Sequence, residues 1–345
     1  MSAFLLLSRV DAAGIDGPLG VHHGTALLAC QLIADNNFDG RLYTDPRGQH
    51  PVLVGLDDIL TSDNYYFIID KDYKLRYPIV PSFRDWTFPH DRIPDSWPSL
   101  AATSPQDYLG YGNRCALTNY ASGLETAHIV PEEELEWFQR EAMGRYSPYP
   151  TGFPDSENRM KLRADIHRLY EGSEFVIVPK QEIHDTGKEE DPKRPCYVAH
   201  CLGPGNEEIW GLHHNLPLQY IEHTRREMHL ARFAWAIFSQ ANFFLLQGST
   251  RAVVTDDGNG ERKVQEVSGS TLRELYGGEE NWDSGLLSSR KKRKLDHLGE
   301  YSVGEPEDED NEDNGFGDDD GSDQEEEGGG EGTGPEDLKE FGGRS

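Results

Sequence analysis

The sequence predicts an α+β protein in three parts. An aromatic, β-rich module occupies residues 1–105, a second mixed domain with a helical extension occupies 110–250, and 251–345 is mostly disordered, a basic pentad followed by an acidic tail. Three observations carry this reading. Short apolar runs broken by turn residues fill the first hundred positions, strand and helix signals alternate from 110 to 250, and charge displaces apolar residues after about 280. The chain has 62 Asp and Glu against 33 Lys and Arg, a net charge of −29. Residues 296–345 hold 20 acidic and 2 basic side chains, or −18, so the rest of the chain, with 42 acidic and 31 basic, carries −11. Most of the imbalance sits in one tail and says little about the folded part.

In the first module, Phe4–Val10, Tyr65–Ile69 and Tyr77–Val80 are strand candidates, separated by turn material such as Asp16-Gly17 and Asp39-Gly40. Thr25–Ala34 is a helix candidate. Pro89, Pro94 and Pro98 keep the stretch from Asp85 to Pro98 out of regular structure. Further on, Phe175–Val178 and Tyr197–Cys201 read as paired strands around a charged loop that contains Pro192 and Pro195. Between about Tyr220 and Gln247, Leu230, Phe233, Ala234, Ile237 and Phe238 fall at helical spacing and predict a core helix with one apolar face.

The tail runs Glu305–Asp313, Asp318–Asp320 and Glu325–Glu327, interspersed with glycine, bury too little apolar surface to offset chain entropy and are expected to be disordered. The five consecutive cations Arg290, Lys291, Lys292, Arg293 and Lys294 in such a setting read as a nuclear import signal, which predicts a nuclear location, with the cytoplasm as the alternative. The acidic tail suits basic protein partners.

No apolar run approaches the length of a membrane span, Phe4–Leu7 is too short for a secretory signal, and Cys30, Cys115, Cys196 and Cys201 are too few for a disulfide scaffold. A soluble intracellular protein is expected. His213 and His214, with Cys196, His200 and Cys201, match no common zinc spacing, and Gly258 and Gly260 read as a turn rather than a phosphate loop.

The pattern that carries chemistry lies between 115 and 178. It begins at Cys115 and continues with Leu124-Glu125-Thr126-Ala127-His128-Ile129-Val130-Pro131, where a histidine ends a short apolar strand. A helix start follows, with Pro131 first and Glu132 to Glu134 in its opening turn. Then come Asn158, Leu162 and His167, and the ending Leu169-Tyr170-Glu171-Gly172. This pattern resembles the HNH nuclease family, through its His-Ile-x-Pro element and its Asn-x3-Leu-x4-His element. The alanine before the histidine is similar to a subgroup found in fungal proteins that shares the later Ala231–Phe238 stretch and the aromatic N-terminal segment.

The resemblance implies a ββα-metal core and hydrolysis of nucleic-acid phosphodiesters, DNA ahead of RNA. His128 would be the general base and Asn158 would fix the loop behind it. His167 would ligate a divalent metal, Mg²⁺ first with Mn²⁺ or Zn²⁺ as alternatives. Family members usually carry Asp or His before the base, where this chain has Ala127, so a carboxylate must substitute. Glu171, at i+4 from His167, ranks above Glu125, which shares the strand face of position 127, and Asp165 ranks below both. Arg163, taken at i−4 on the helical face of His167, would clamp a phosphate, with Lys161, Arg159 and Arg168 adding attraction to nucleic acid. The family's four-cysteine zinc ribbon is absent: Thr118 stands where Cys115 would have its pair, and Arg163 and Ile166 where the second pair would fall. The alternative expectation is a catalytically degenerate HNH domain used as a nucleic-acid- or protein-binding module.

Overall fold

The structure, a computed structural model, describes residues 4–14, 16–69, 77–100, 113–147, 156–181, 195–202, 211–256 and 262–277. The basic pentad at 290–294, the acidic runs after it, and Gly258 and Gly260 lie outside the described residues. Among those described, no helix is long and apolar enough to cross a membrane.

Strands in the N-terminal part are short. β1 (Asp11–Ala12) pairs antiparallel with β2 (Leu19–His22), which leads directly into helix α1 (His23–Ile33). The helix starts two residues earlier than its apolar pattern indicates, because the His22 ring accepts the Thr25 N–H and caps it. It ends where Asp35 and Asn36 enter the left-handed region (φ 59° and 56°), a conformation that Asp and Asn tolerate better than most residues. β3 (Arg41–Tyr43) pairs with β5 (Tyr66–Ile68), and β4 (Ile59–Leu60) completes the β1–β2 sheet.

The proline-rich stretch is irregular apart from a 3-10 turn at Phe83–Asp85, but it packs inward. Trp86, Phe88 and Trp97 are all buried. The Trp86 ring stacks on Trp137 at 5.7 Å, and its indole N–H donates to Asn36 Oδ1 at 2.8 Å. The two tryptophans thereby join the first hundred residues to the next segment.

That segment is a hairpin followed by a helix. β6 (Leu124–His128) pairs antiparallel with β7 (Arg159–Arg163) in the register Glu125↔Leu162 and His128↔Arg159. The long connection contains α2 (Leu135–Arg140), preceded by a 3-10 turn at Glu132–Glu134. α3 (Ala164–Glu171) follows β7 without a loop and packs on β6, β7 and the next strand, β8 (Phe175–Gln181). Ile166 and Tyr170, one turn apart, are its buried residues. β8 pairs along its whole length with β9 (Pro195–Cys201).

α4 (Arg226–Leu245) differs from the one-faced helix its spacing suggests. Every residue from Met228 to Phe238 is buried, including His229 and Arg232. It packs on β8, on α1 and on the Phe83–Asp85 turn, so it is encased on all sides and lies at the centre of the molecule. Burial drives the His229 pKa down to about 3, and its Nε2 meets the Thr224 hydroxyl at 2.8 Å.

The main apolar core runs from Leu28 to Leu272 and crosses position 105, while Ala26, Ala34, Leu42, Leu60 and Phe67 form a second, smaller cluster within the first module. Regular structure continues past 251. β10 (Arg251–Asp256) and β11 (Arg262–Val267) form a hairpin, and α5 (Gly269–Tyr276) packs on α4. β10 is held by Ile79, whose N–H donates to the Ala252 carbonyl while its own carbonyl accepts the Val254 N–H. The sequence reading took charge after 280 as the mark of the tail. It overlooked that Val253 and Val267 are apolar enough to be buried.

Candidate active site

β6 and β7 set the first half of the site. Alternation along β6 buries Ala127 and turns His128 outward to partial exposure at the strand end. The chain beyond His128 is held by Asn158, which is wholly buried. Asn158 Oδ1 accepts the Val130 N–H at 2.8 Å, Nδ2 donates to the Val130 carbonyl at 3.2 Å, and the Asn158 carbonyl accepts the Ile129 N–H at 2.8 Å. Asn158→Ala would leave two buried backbone groups of Val130 unpaired, at about 1–3 kcal/mol each. Urea denaturation should show that loss, and an unchanged midpoint would mean the loop is held by other contacts.

Two charged groups face the His128 imidazole at close range. Arg159 Nε–H donates to Nε2 at 3.2 Å, and Glu132 Oε1 lies 3.4 Å from the same nitrogen. Partial burial pushes the His128 pKa below its ordinary value, Glu132 pulls it up, and the charges of Arg159 and His167 push it down. His167 is therefore near enough to be felt electrostatically by His128, although the two come from different elements.

α3 supplies the second half. His167 Nδ1 lies 2.8 Å from Glu125 Oε2 on β6, and its Nε2 lies 3.3 Å from Glu171 Oε1, one turn further along the helix. Both carboxylates reach the ring, Glu125 at the shorter distance. Strand β6 places Glu125 beside the helix, whereas Glu171 must bend along its own helix to meet the ring. Glu133 adds a further carboxyl to this neighbourhood, its pKa raised by burial and by Glu134, with Glu171 contributing.

Donor geometry permits a divalent ion. Adjacent ligands of a tetrahedral or octahedral centre with bonds near 2.1 Å stand about 3.0–3.4 Å apart. His167 Nε2 and Glu171 Oε1, 3.3 Å apart, match that edge. Glu125 at hydrogen-bond distance from Nδ1 then orients the ring from behind.

Arg163 is not on the helical face of His167. It is the last residue of β7 and the N-cap of α3, and its guanidinium makes a two-pronged pair with Asp165 (2.6 Å for each bond) while lying over the Tyr120 ring. The helix begins one residue later than the spacing argument assumed, so Arg163 and Asp165 neutralise each other at the far end of β7 from His128. Lys161 is exposed and donates to the Thr126 hydroxyl, and Arg168 is exposed on α3. Arg159 is the one member of this basic set that touches His128.

Sequence reasoning missed the roles of Arg159, Glu132 and Arg232. Glu132 at i+4 from His128 was the readable signal, but β6 is a strand and the pairing comes from the turn after it. Arg232 lies on α4, wholly buried. It stacks over Tyr170 and Trp235 at 4.3 and 4.2 Å, and it donates to the Tyr170 carbonyl at the C-terminal end of α3.

Residues 115–178 match the HNH endonuclease family. HNH nuclease domains generally use a divalent metal and bind nucleic acid, and the match suggests a nuclease-type function for this segment. No curated protein and no solved structure matches the chain. The HNH segment ends at the middle of β8, and everything that packs behind it, α4 above all, lies outside the matched residues.

A second cluster sits outside the HNH segment. Among the described residues, Asp11, His200 and His214 bring three candidate ligand atoms within 4.8 Å of one another. His214 Nδ1 accepts the Cys201 N–H, so the ring proton lies on Nε2 and is donated to Asp11 Oδ1 at 2.8 Å. Lys180 Nζ occupies the same oxygen at 2.6 Å. The nitrogen a metal would need carries a proton, and an ammonium stands beside it. This cluster is a buried ion-pair network.

Proposed function

We propose that the HNH segment is a metal-dependent endonuclease built on a ββα-metal core of the alanine-before-histidine type, acting on DNA ahead of RNA. The observation that carries the reading is the placing of two histidines on elements packed together, His128 at the end of β6 beside Glu132 and His167 on α3 beside Glu125 and Glu171. His128, whose depressed proton affinity keeps the ring unprotonated at neutral pH, takes a proton from the attacking water. Glu132 stabilises the imidazolium that forms. His167 and Glu171 would hold the divalent ion, Mg²⁺ first with Mn²⁺ or Zn²⁺ as alternatives, and Glu125 fixes the His167 ring. When bound, that ion supplies positive charge against the oxygen that leaves phosphorus. Lys161 and Arg168 add attraction to the phosphate backbone.

The pentad 290–294 supports a nuclear site of action as an import signal, and the acidic tail supports contact with basic proteins. A second reading, a degenerate HNH domain that binds without cutting, is favoured by one observation. Ala127 is buried against the core and offers no ligand in the position before the base.

Plasmid nicking decides between them. The nuclease reading expects conversion of supercoiled to relaxed DNA that a chelator abolishes and added Mg²⁺ or Mn²⁺ restores. Tight binding in a gel shift with no cleavage under any divalent ion would establish the binding module instead.

A further inference from the structure

The base of the proposed reaction is engaged before any substrate arrives. A guanidinium has N–H donors and no acceptor, so in its 3.2 Å contact with Arg159 the Nε2 of His128 presents its lone pair. The ring proton then lies on Nδ1, and the lone pair on Nε2 is the one a neutral imidazole uses as a base. The backbone of Arg159 is fixed on both sides. It pairs with His128 in the hairpin, and its carbonyl accepts from His223 Nε2 at 2.8 Å, so motion is left to the side chain.

A phosphodiester oxygen is a better acceptor for a guanidinium than a neutral imidazole, since charge-assisted hydrogen bonds are roughly twice as strong as neutral ones. Resting on the nuclease reading above, we infer that Arg159 is a substrate-operated latch: it covers His128 Nε2 until a nucleic-acid phosphate draws the guanidinium away, and this exposes the lone pair only when a scissile group is present. The charged groups facing the ring are Glu132 from the turn after β6, Arg159 from β7 and His167 from α3. With the Arg159 cation removed from this set, Glu132 at 3.4 Å remains beside the ring, which favours proton uptake. In the step that follows, a water proton passes to Nε2 as the water oxygen bonds to phosphorus. The ester P–O bond on the far side breaks, and the departing oxygen takes a proton from solvent. Arg159 is thus a positioning residue that acts through His128 and the phosphate.

Two readouts test the latch. The acid limb of kcat/KM reports the base in the free enzyme and that of kcat the base in the substrate complex. In the wild type the free-enzyme limb should lie at lower pH than the complex limb. In Arg159→Met it should rise by about one pH unit while the kcat limb stays, and Arg159→Lys should restore part of the separation. A variant that raises KM and leaves both limbs in place would overturn the latch.

The second readout needs no cleavage. Diethyl pyrocarbonate modifies an unprotonated, uncovered imidazole nitrogen, and the His128 peptide can be followed by mass spectrometry. Modification should be several-fold faster in Arg159→Met than in the wild type, and inorganic phosphate should speed it in the wild type alone. Equal rates, or a wild-type rate indifferent to phosphate, would overturn the latch. Absence of nicking by every protein, with these rates as expected, would overturn the nuclease reading and leave the Arg159–His128 cover standing as a phosphate-sensitive contact.

Discussion

Plasmid nicking by His128→Ala is expected to fall by about 10²- to 10⁴-fold, the usual contribution of a positioned general base. The fold should be indifferent to the change. His128 sits at the exposed end of β6, and its side-chain partners Arg159 and Glu132 are both solvent-reaching, so their loss leaves no buried charge stranded. Thermal unfolding should therefore move little while activity collapses. DNA binding should survive as well, because Lys161 and Arg168 are untouched. A variant that nicks at the wild-type rate would remove His128 from the reaction, and one that fails to fold would show that the ring is structural.

Lys180→Met is expected to have the largest effect on stability, about 3–5 kcal/mol by chemical denaturation, the cost of breaking a buried ion pair from one side. Lys180 and Asp11 are both buried, and their contact at 2.6 Å joins β8 to β1 across 169 positions of the chain. Burial disfavours the Asp11 carboxylate, but the His214 hydrogen bond, with His200 and Lys180, overcomes this and holds its pKa well below the usual carboxylate range. A depressed carboxylate pKa contributes stability above its unfolded value, near 4, and loses it only as the pH falls through the folded value. In the wild type this contribution is thus intact through the neutral and mildly acid range. In Lys180→Met the stranded carboxylate can be relieved by protonation, either its own or that of His200, so the gap from wild type should narrow as the pH drops from 7 toward 5. A constant gap would mean that the loss is one of packing alone.

The sequence was most informative where local chemistry decides the outcome. The His-Ile-x-Pro run, Asn158 and His167 lie on neighbouring elements, and their spacing reflects one hairpin and one helix, so it could be read without tertiary knowledge. The apolar spacing from Leu230 to Phe238 marked a helix for the same reason. What spacing could not show is what lies on the other side. A helix whose remaining positions include Arg232 and His229 looks amphipathic in sequence, and only the Tyr170 and Trp235 rings and the Thr224 hydroxyl explain how those polar groups are buried. Arg163 was misplaced because a boundary error of a single residue, across a strand–helix junction with no loop, changes which way a side chain points. The hairpin after 250 was hidden for another reason: Val253 pairs with Ile79, about 170 residues earlier, and no window of sequence contains both.

Arg232 sets an order of events during synthesis. The helix bearing His167 is braced from behind by a residue that leaves the ribosome some sixty positions after it, and the apolar faces of β6 and β7 wait for the same late helix. A nascent chain that has extruded residues 115–178 alone has every side chain the chemistry requires but lacks the wall they lean on. On the nuclease reading, a fragment ending there would lack the support its helix needs, and cutting would await the later part of the chain.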